Sequence, residues 1–386
     1  MFLFIIFLFW TSLFLILYSY IFYPIILILL EKISQPKAFH TNDEYYPPVS
    51  LIIAAYNEEK VIEGRIKNCL ALDYPKDKLE IIVASDGSSD RTAEIIQQYA
   101  HDGVTLMAYP QRRGKVNVLN ETIPKAKNGV VIFSDANTMF TRPAIKKMVR
   151  YFADPLVGCV CGGLQFVNAD GSYTGDLEGI YWRYETFLKK MEGKRGAVLG
   201  ANGAIFSIRK DLYVPLEPDT IVEDFVMTMR ILQKGFACVY APEAAAIEEA
   251  AHKIIQEKQR RIRIGAGDFQ ALCRLWPMLN PARGFSALAF LSHKVLRWLA
   301  PFFLIFLFVT NVFIFTHGCR YLLIFILQLS FYGMALIGEF LALRTKKNFK
   351  LFSLCYYFVS MNMGLFLGFV KFMKGTQSVK WNRTER

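Results

Sequence analysis

No Cys-x-x-Cys pair occurs in this chain, and its seven cysteines, at 69, 159, 161, 238, 273, 319 and 355, show no zinc-type spacing. A structural zinc site and a dithiol redox centre are thereby excluded. The thiols read as small buried residues of a reducing compartment. No Gly-x-Gly-x-x-Gly loop follows the first strand-like run, which argues against a dinucleotide enzyme carried on membrane anchors. No compact basic tract is interleaved with aromatics, so the net charge of +12 does not point to nucleic acid. The Lys and Arg are spread through the middle and cluster beside the apolar ends, a distribution suited to anionic lipid headgroups and phosphorylated substrates. Met1–Leu30 contains no charged residue. A cleaved signal peptide needs a basic start, a shorter apolar core and a small-residue cleavage site, and none is evident. The stretch reads instead as a bilayer-crossing anchor, with Lys32 and Lys37 placing the next segment in the cytoplasm.

What is abundant is apolar surface, including 33 Phe and 19 Tyr, and it is concentrated at the two ends. After a polar linker (31–48) with Pro36, Pro47 and Pro48, the middle alternates between strand and helix patterns. Val49–Ala54, Leu79–Ala84, Val104–Ala108 and Val130–Phe133 read as strands. Glu58–Leu70, Arg91–Ala100 and Lys115–Ala126 read as the helices between them. Such alternation predicts a parallel sheet covered on both faces. Beyond it, Asp176–Glu192 has helical spacing. Val222-Glu223-Asp224 opens a helix running to about Lys234, and Glu248–Leu272 reads as a polar-to-basic helix with an amphipathic end for the membrane face. Three spans are expected at the carboxyl end, Trp298–Thr316, Tyr321–Leu343 and Leu351–Phe372. His293, Lys294 and Arg297 flank the first, and Glu339 lies near the end of the second. One span before and three after would leave the tail outside, whereas Lys371, Lys374, Lys380, Arg383 and Arg386 mark the inside. Either one apolar segment is re-entrant or the charge rule fails here.

The organising stretch is Val130–Thr138. Its four apolar residues form a strand buried on both faces, and Ser134-Asp135-Ala136-Asn137 follow at the carboxyl end, where open α/β sheets bind ligands. Asp135 and Asn137 offer hard oxygens suited to Mg²⁺ or Mn²⁺ completed by substrate phosphates. A plain Asp/Asn turn would also account for them. Tyr56-Asn57-Glu58 and Ser85-Asp86-Gly87-Ser88 end two other strands, so three polar ends on one sheet edge define a single crevice. Gly200-Ala201-Asn202-Gly203 is a turn where backbone can approach a ligand closely. For Asp224 a helix-capping role stands beside a chemical one.

Together these pieces resemble the membrane-embedded family 2 glycosyltransferases of GT-A fold, similar to bacterial cellulose, hyaluronan and poly-N-acetylglucosamine synthases. The resemblance runs through Ala54–Glu59, Ser85–Asp90, Arg113-Gly114-Lys115 with Asn120, Ser134–Asn137, Gly200–Ala204, Glu223-Asp224 and Arg260–Arg263. It implies an α/β nucleotide-diphospho-sugar transferase domain with flanking transmembrane helices. The expected layout is an anchor (1–30), a linker (31–48), a cytoplasmic GT-A domain with interface helices (49–284), a membrane region (285–374) and a basic tail (375–386). The implied activity is hexosyl transfer, dependent on Mg²⁺ or Mn²⁺, from a nucleotide sugar, most simply a UDP-sugar, to a glycan or lipid acceptor. The implied setting is the inner cell membrane, with a homo-oligomer or an accessory export subunit as further partners. By residue, Tyr56, Asn57 and Glu58 would line the nucleotide pocket and Asp86 would bind the uracil. Lys115 would sit near the ribose or diphosphate, and Asp135 would bind metal and donor with Asn137 beside it. Asp224, preceded by Glu223, would be the base. Asn202 and Gly203 face either the acceptor or only a turn, and Arg263 either the diphosphate or solvent and lipid. Three departures count. Asn137 replaces the last Asp of the usual Asp-x-Asp, and Ser85 replaces the first Asp of Asp-Asp-Gly. Arg260-Arg261-Ile262-Arg263-Ile264 lacks the Gln and Trp of the processive Gln-x-x-Arg-Trp motif. The last leaves room for adding one or a few sugars to a lipid. A rival from another class is a membrane protein that senses nucleotides without catalysis, but it gives Asp224 no task.

Overall fold

The structure, a computed structural model, describes residues 1–34, 37–167, 177–249, 254–344 and 349–377. The chain divides into two compact units, one holding described residues of 34–167 and 185–249, the other those of 1–33, 177–184 and 254–377. The tail positions Lys380, Arg383 and Arg386 lie outside the described residues, as do Lys346, Lys347 and the linker's Pro36.

The first unit is built on one sheet. Its strands are β1 (Val49–Ala55), β2 (Leu79–Asp86), β3 (Val104–Tyr109), β4 (Val130–Asp135), β5 (Met139–Phe140), β6 (Val157–Val167), β7 (Phe206–Arg209) and β8 (Ala237–Glu249). Their spatial order is β3-β2-β1-β4-β7-β6-β8-β5. β1 runs parallel to both β2 and β4, and β2 to β3. Every residue of β1 is buried, as expected of a strand with helices on both faces. The β1–β2 and β1–β4 registers bring Ala55 beside Ser85 and Ala54 beside Asp135. Small side chains at the end of β1 therefore leave space between two carboxylate-bearing strand ends.

The far half of the sheet departs from the expected pattern. β6 and β8 form a long parallel pair through a register shift, where Gly162 pairs with Ala241 but Gly163 with Ala245. Pro242, Glu243 and Ala244 bulge out there, which suits a proline with no N–H for the ladder. Glu248 was expected to open a helix; instead it pairs with Phe166 within β8, and the helix begins at Ile254. The ladder to β6 outweighs local helix preference. That helix, Ile254–Leu275, groups with the apolar unit rather than with the sheet.

In the apolar unit, Phe2–Ile33, Cys319–Ala342 and Lys350–Met373 are long and apolar enough to cross a membrane. Phe4, Phe7, Leu323, Leu327 and Leu336 are exposed on them, a surface fit for lipid rather than water. Phe9 and Tyr321, from the first two of these, pack with Leu307 and Ile314 of the helix Ala300–Ile314 in one core. The segment expected as one span from Trp298 to Thr316 is not a single rod. Helices Phe285–Trp298 and Ala300–Ile314 meet at 57°. Pro301 opens the second helix, and a proline there removes a backbone donor and clashes with the preceding turn. Among the described residues there are thus three candidate spans, or four if the bent pair counts as one. His293 and Arg297, expected as flanking charges, are buried. The Arg297 guanidinium lies 5.1, 5.8 and 5.5 Å from the ring centres of Tyr20, Tyr181 and Tyr184, a cation–π setting that compensates lost water.

Gly162 tests the packing of the far sheet. A Cβ there would lie 2.7 Å from both the Ala244 carbonyl oxygen and Ile205 Cγ1. Gly162→Val is expected to cost about 1–3 kcal/mol, read as a lowered melting temperature in detergent or nanodiscs.

Candidate active site

The floor of the crevice is made by two strand-end loops laced together. After β1, Asn57 adopts a left-handed backbone (φ 54°), which Asn tolerates better than most residues. Its N–H donates to Ser88 Oγ at 3.1 Å, and its Oδ1 accepts from Ser89 N–H at 2.8 Å. Glu58 N–H donates to Thr92 Oγ1 at 2.8 Å, and Glu59 N–H to Asp90 Oδ2 at 3.2 Å. Asn57 thus fastens the floor together. Tyr56 carries the Arg112 guanidinium stacked 4.0 Å above its ring.

Asp86 is buried, and both its oxygens are engaged. Oδ1 accepts from Arg113 N–H at 2.7 Å and Oδ2 from Gly114 N–H at 2.8 Å. Gly87 makes this possible. It has φ +65°, and a Cβ there would lie 2.5 Å from Arg112 N. The Gln111–Gly114 loop therefore rests directly on the Ser85–Gly87 turn. Asp86, expected to contact the base, holds the loop that precedes Lys115.

Lys115 begins the helix Lys115–Lys125 immediately after Gly114. Its ammonium lies 2.8 Å from Asp135 Oδ1 and 2.8 Å from Glu223 Oε1. Burial works against the charge, but the Asp135 and Glu223 carboxylates prevail and raise the Lys115 pKa. Beneath Asp135 lies Arg65, fully buried, donating to Ser134 Oγ at 3.0 Å and packed 4.4 Å over the Phe140 ring.

Asp224 follows Glu223 at the start of the helix Glu223–Gln233. Its Oδ1 accepts from Phe225 N–H at 2.8 Å, so it does cap the first turn in part. Its Oδ2 faces the Asn202-Gly203 loop, where a Cβ on Gly203 would lie 2.9 Å away. Only glycine lets that backbone come so close. Burial, then the neighbouring Glu223, pushes the Asp224 carboxyl up to about 6, while Lys115 and Lys189 pull it down. Asn202 is buried with both ends of its amide in use. Oδ1 accepts from Lys189 Nζ, and Nδ2 donates to the Gly162 carbonyl at 2.8 Å. Its backbone N–H points to Cys161 Sγ at 3.2 Å. Asn202 therefore shapes the loop.

Asn137 donates from Nδ2 to Glu248 Oε1 at 2.6 Å. Among the described residues no group of three or more His, Cys, Asp or Glu could enclose a metal. Asp135 and Asn137 nevertheless suit Mg²⁺ or Mn²⁺, which bind through one or two protein oxygens and take the rest from phosphate and water. Arg263 lies on the helix Ile254–Leu275, in the other unit. Four participants escaped the sequence reading: Arg65, Arg112, Lys189 and Glu248. Arg112 adjoins the Arg113-Gly114-Lys115 motif and could have been included with it. The others carry no local signal, because their partners are far off in sequence.

Asp86→Asn tests the loop staple. The amide can accept one of the two backbone N–H groups but turns a donor toward the other, an arrangement costing about 1–3 kcal/mol. A lower melting temperature is expected, measured by thermal unfolding in detergent or nanodiscs.

Comparison with known proteins agrees with this geometry. Residues 50–214 match the sequence profile of Glycosyl transferase family 2. Poly-beta-1,6-N-acetyl-D-glucosamine synthase of Staphylococcus aureus (strain COL) is 29% identical over 249 residues, covering 63% of this chain and 60% of the relative. The enzyme of the same name from Staphylococcus epidermidis is 29% identical over 240 residues, 60% of this chain and 57% of its own length. The aligned region thus spans about 60% of the length of these relatives. Among solved structures, mannosyltransferase PcManGT from Pyrobaculum calidifontis, in complex with GDP-Man and Mn²⁺, superposes with a TM-score of 0.70. It shares 21% identity over 95% of this chain and 99% of that one, a likeness of fold. The crevice at the ends of β1, β2 and β4 thus lies in a stretch, residues 50–214, that is similar to Glycosyl transferase family 2, on a fold like that of a solved mannosyltransferase.

Proposed function

We propose that the chain is a membrane-embedded, metal-dependent, inverting glycosyltransferase that moves a sugar from a UDP-sugar to a growing exo- or capsular polysaccharide. Its sheet unit would face the cytoplasm at the inner membrane. One observation carries this reading. Lys115 ties Asp135, at the end of β4, to Glu223, and the next residue, Asp224, turns an oxygen to the Asn202-Gly203 loop. On this reading a diphosphate-binding end and a proton-accepting end would share one crevice. The polymeric product is supported by the likeness to the poly-beta-1,6-N-acetyl-D-glucosamine synthases.

Asp135 and Asn137 would hold Mg²⁺ or Mn²⁺, which supplies charge stabilisation for the departing diphosphate. Lys115 adds a fixed positive charge beside Asp135. Tyr56 and Arg112 offer a flat stacked surface beside the laced loops, suited to a nucleobase. Asp224 takes the proton from the acceptor hydroxyl as that oxygen bonds to the anomeric carbon. The bond from that carbon to the diphosphate oxygen breaks, and UDP leaves with the electron pair. Attack opposite the leaving group turns an α-linked donor into a β-linkage.

A second reading, transfer of one or a few sugars to a lipid, is favoured by Ile264 standing where processive synthases carry tryptophan. Product sizing separates the two.

The reading is tested by UDP release from lipid-reconstituted protein given a panel of UDP-sugars with Mg²⁺ or Mn²⁺. Release with one donor is expected, abolished in Asp135→Ala and Asp224→Asn with membrane insertion intact. Absence of release with every donor and acceptor would overturn it. The pH dependence has a defined sign. A base pushed up to about 6 is protonated, and idle, below that value. The rate should therefore fall as pH drops through about 6 and level off above it, a limb missing from any residual Asp224→Asn activity.

A further inference from the structure

Asn137 has no charge of its own, yet it stands where the metal reading asks for an oxygen. An amide presents an oxygen or a nitrogen depending on which way round it is held. Here its Nδ2 donates to Glu248 Oε1 at 2.6 Å. A carboxylate only accepts, so Glu248 selects the nitrogen end and leaves Oδ1 as the end available to a cation. Glu248 is itself held in place by the β8–β6 ladder, where it pairs with Phe166. It reaches Asn137 from 111 residues away in sequence.

We propose that Glu248 is a positioning residue for the donor site. It fixes the Asn137 side chain with its carbonyl oxygen presented for Mg²⁺ or Mn²⁺, in the way second-shell groups orient metal ligands elsewhere. This rests on the metal reading above. It also accounts for asparagine at position 137. An aspartate there would replace the amide donor to Glu248 with a second carboxylate, so the two would repel. The two positions are coupled: Asn137 with Glu248 is one workable pair, and an aspartate at 137 facing a glutamine at 248 would be the other.

The test is Mn²⁺ binding, followed by electron paramagnetic resonance, to the full chain in lipid nanodiscs with UDP present. Glu248→Ala is expected to weaken Mn²⁺ binding about tenfold or more. Glu248→Gln keeps an acceptor for Asn137 and should bind close to wild type. Asn137→Asp should bind weakly, and Asn137→Asp with Glu248→Gln should recover the loss. The double variant also guards against a folding defect in Glu248→Ala, since melting temperatures are compared throughout. Unchanged binding in Glu248→Ala overturns the positioning role alone, as does Asn137→Asp binding as tightly as the double variant. Wild-type protein that retains no Mn²⁺ with UDP overturns the metal reading and this inference with it.

Discussion

One ammonium group sets the state of the whole crevice. Lys115 sits between Asp135 and Glu223, each 2.8 Å away, so three elements meet at a single charge. Its position is fixed upstream, because Asp86 holds the amides of Arg113 and Gly114 just before its helix starts. Burial, with the Glu223 carboxylate beside it, outweighs the Lys115 and Lys189 ammoniums, which is why Asp224 stays protonated to a higher pH than an ordinary aspartate. Whatever draws on Asp135 alters the share of Lys115 left for Glu223. A change at Asp135 is then felt at Asp224 through Lys115 and Glu223, Glu223 and Asp224 being adjacent residues of one helix.

The rest of the site makes that cluster rigid. The loops after β1 and β2 are bonded to each other through Asn57, Glu58 and Glu59. Asn202 engages its amide with Lys189 and with the Gly162 carbonyl. Several residues of types associated with ligand contact are thus committed to holding loops. Geometry held in advance reduces the reorganisation that a reaction must otherwise supply.

Strand ends were legible because they combine two strong signals, an apolar run buried on both faces and an abrupt polar stop. Val130–Phe133 followed by Ser134-Asp135 is the clearest instance, and the helix opening at Glu223 was read to within a residue. β6 and β8 were not legible. Their glycines, alanines and Pro242 dilute the alternating pattern, and their pairing depends on a bulge that only tertiary contact specifies. Glu248 was misread for the same reason, since a glutamate next to a helical stretch looks like part of it. The bend before Pro301 was hidden by uniform hydrophobicity, which reports length but not direction. Hydrogen-bond partners such as Lys189 for Asn202 have no sequence signature at all.

The thiols beneath the Asn202-Gly203 loop have a further consequence. Cys159 and Cys238 are paired neighbours on β6 and β8, and Cys161 lies under Asn202; all three are buried. Burial pushes the Cys161 thiol up to about 11 and raises that of Cys238. A protonated, enclosed sulfur is a poor nucleophile towards alkylating reagents. Cys273 and Cys319, by contrast, are exposed. The protein therefore carries its own clock for local opening: the rate at which the sheet cysteines become alkylated reports how often the layer under the Asn202-Gly203 loop comes apart.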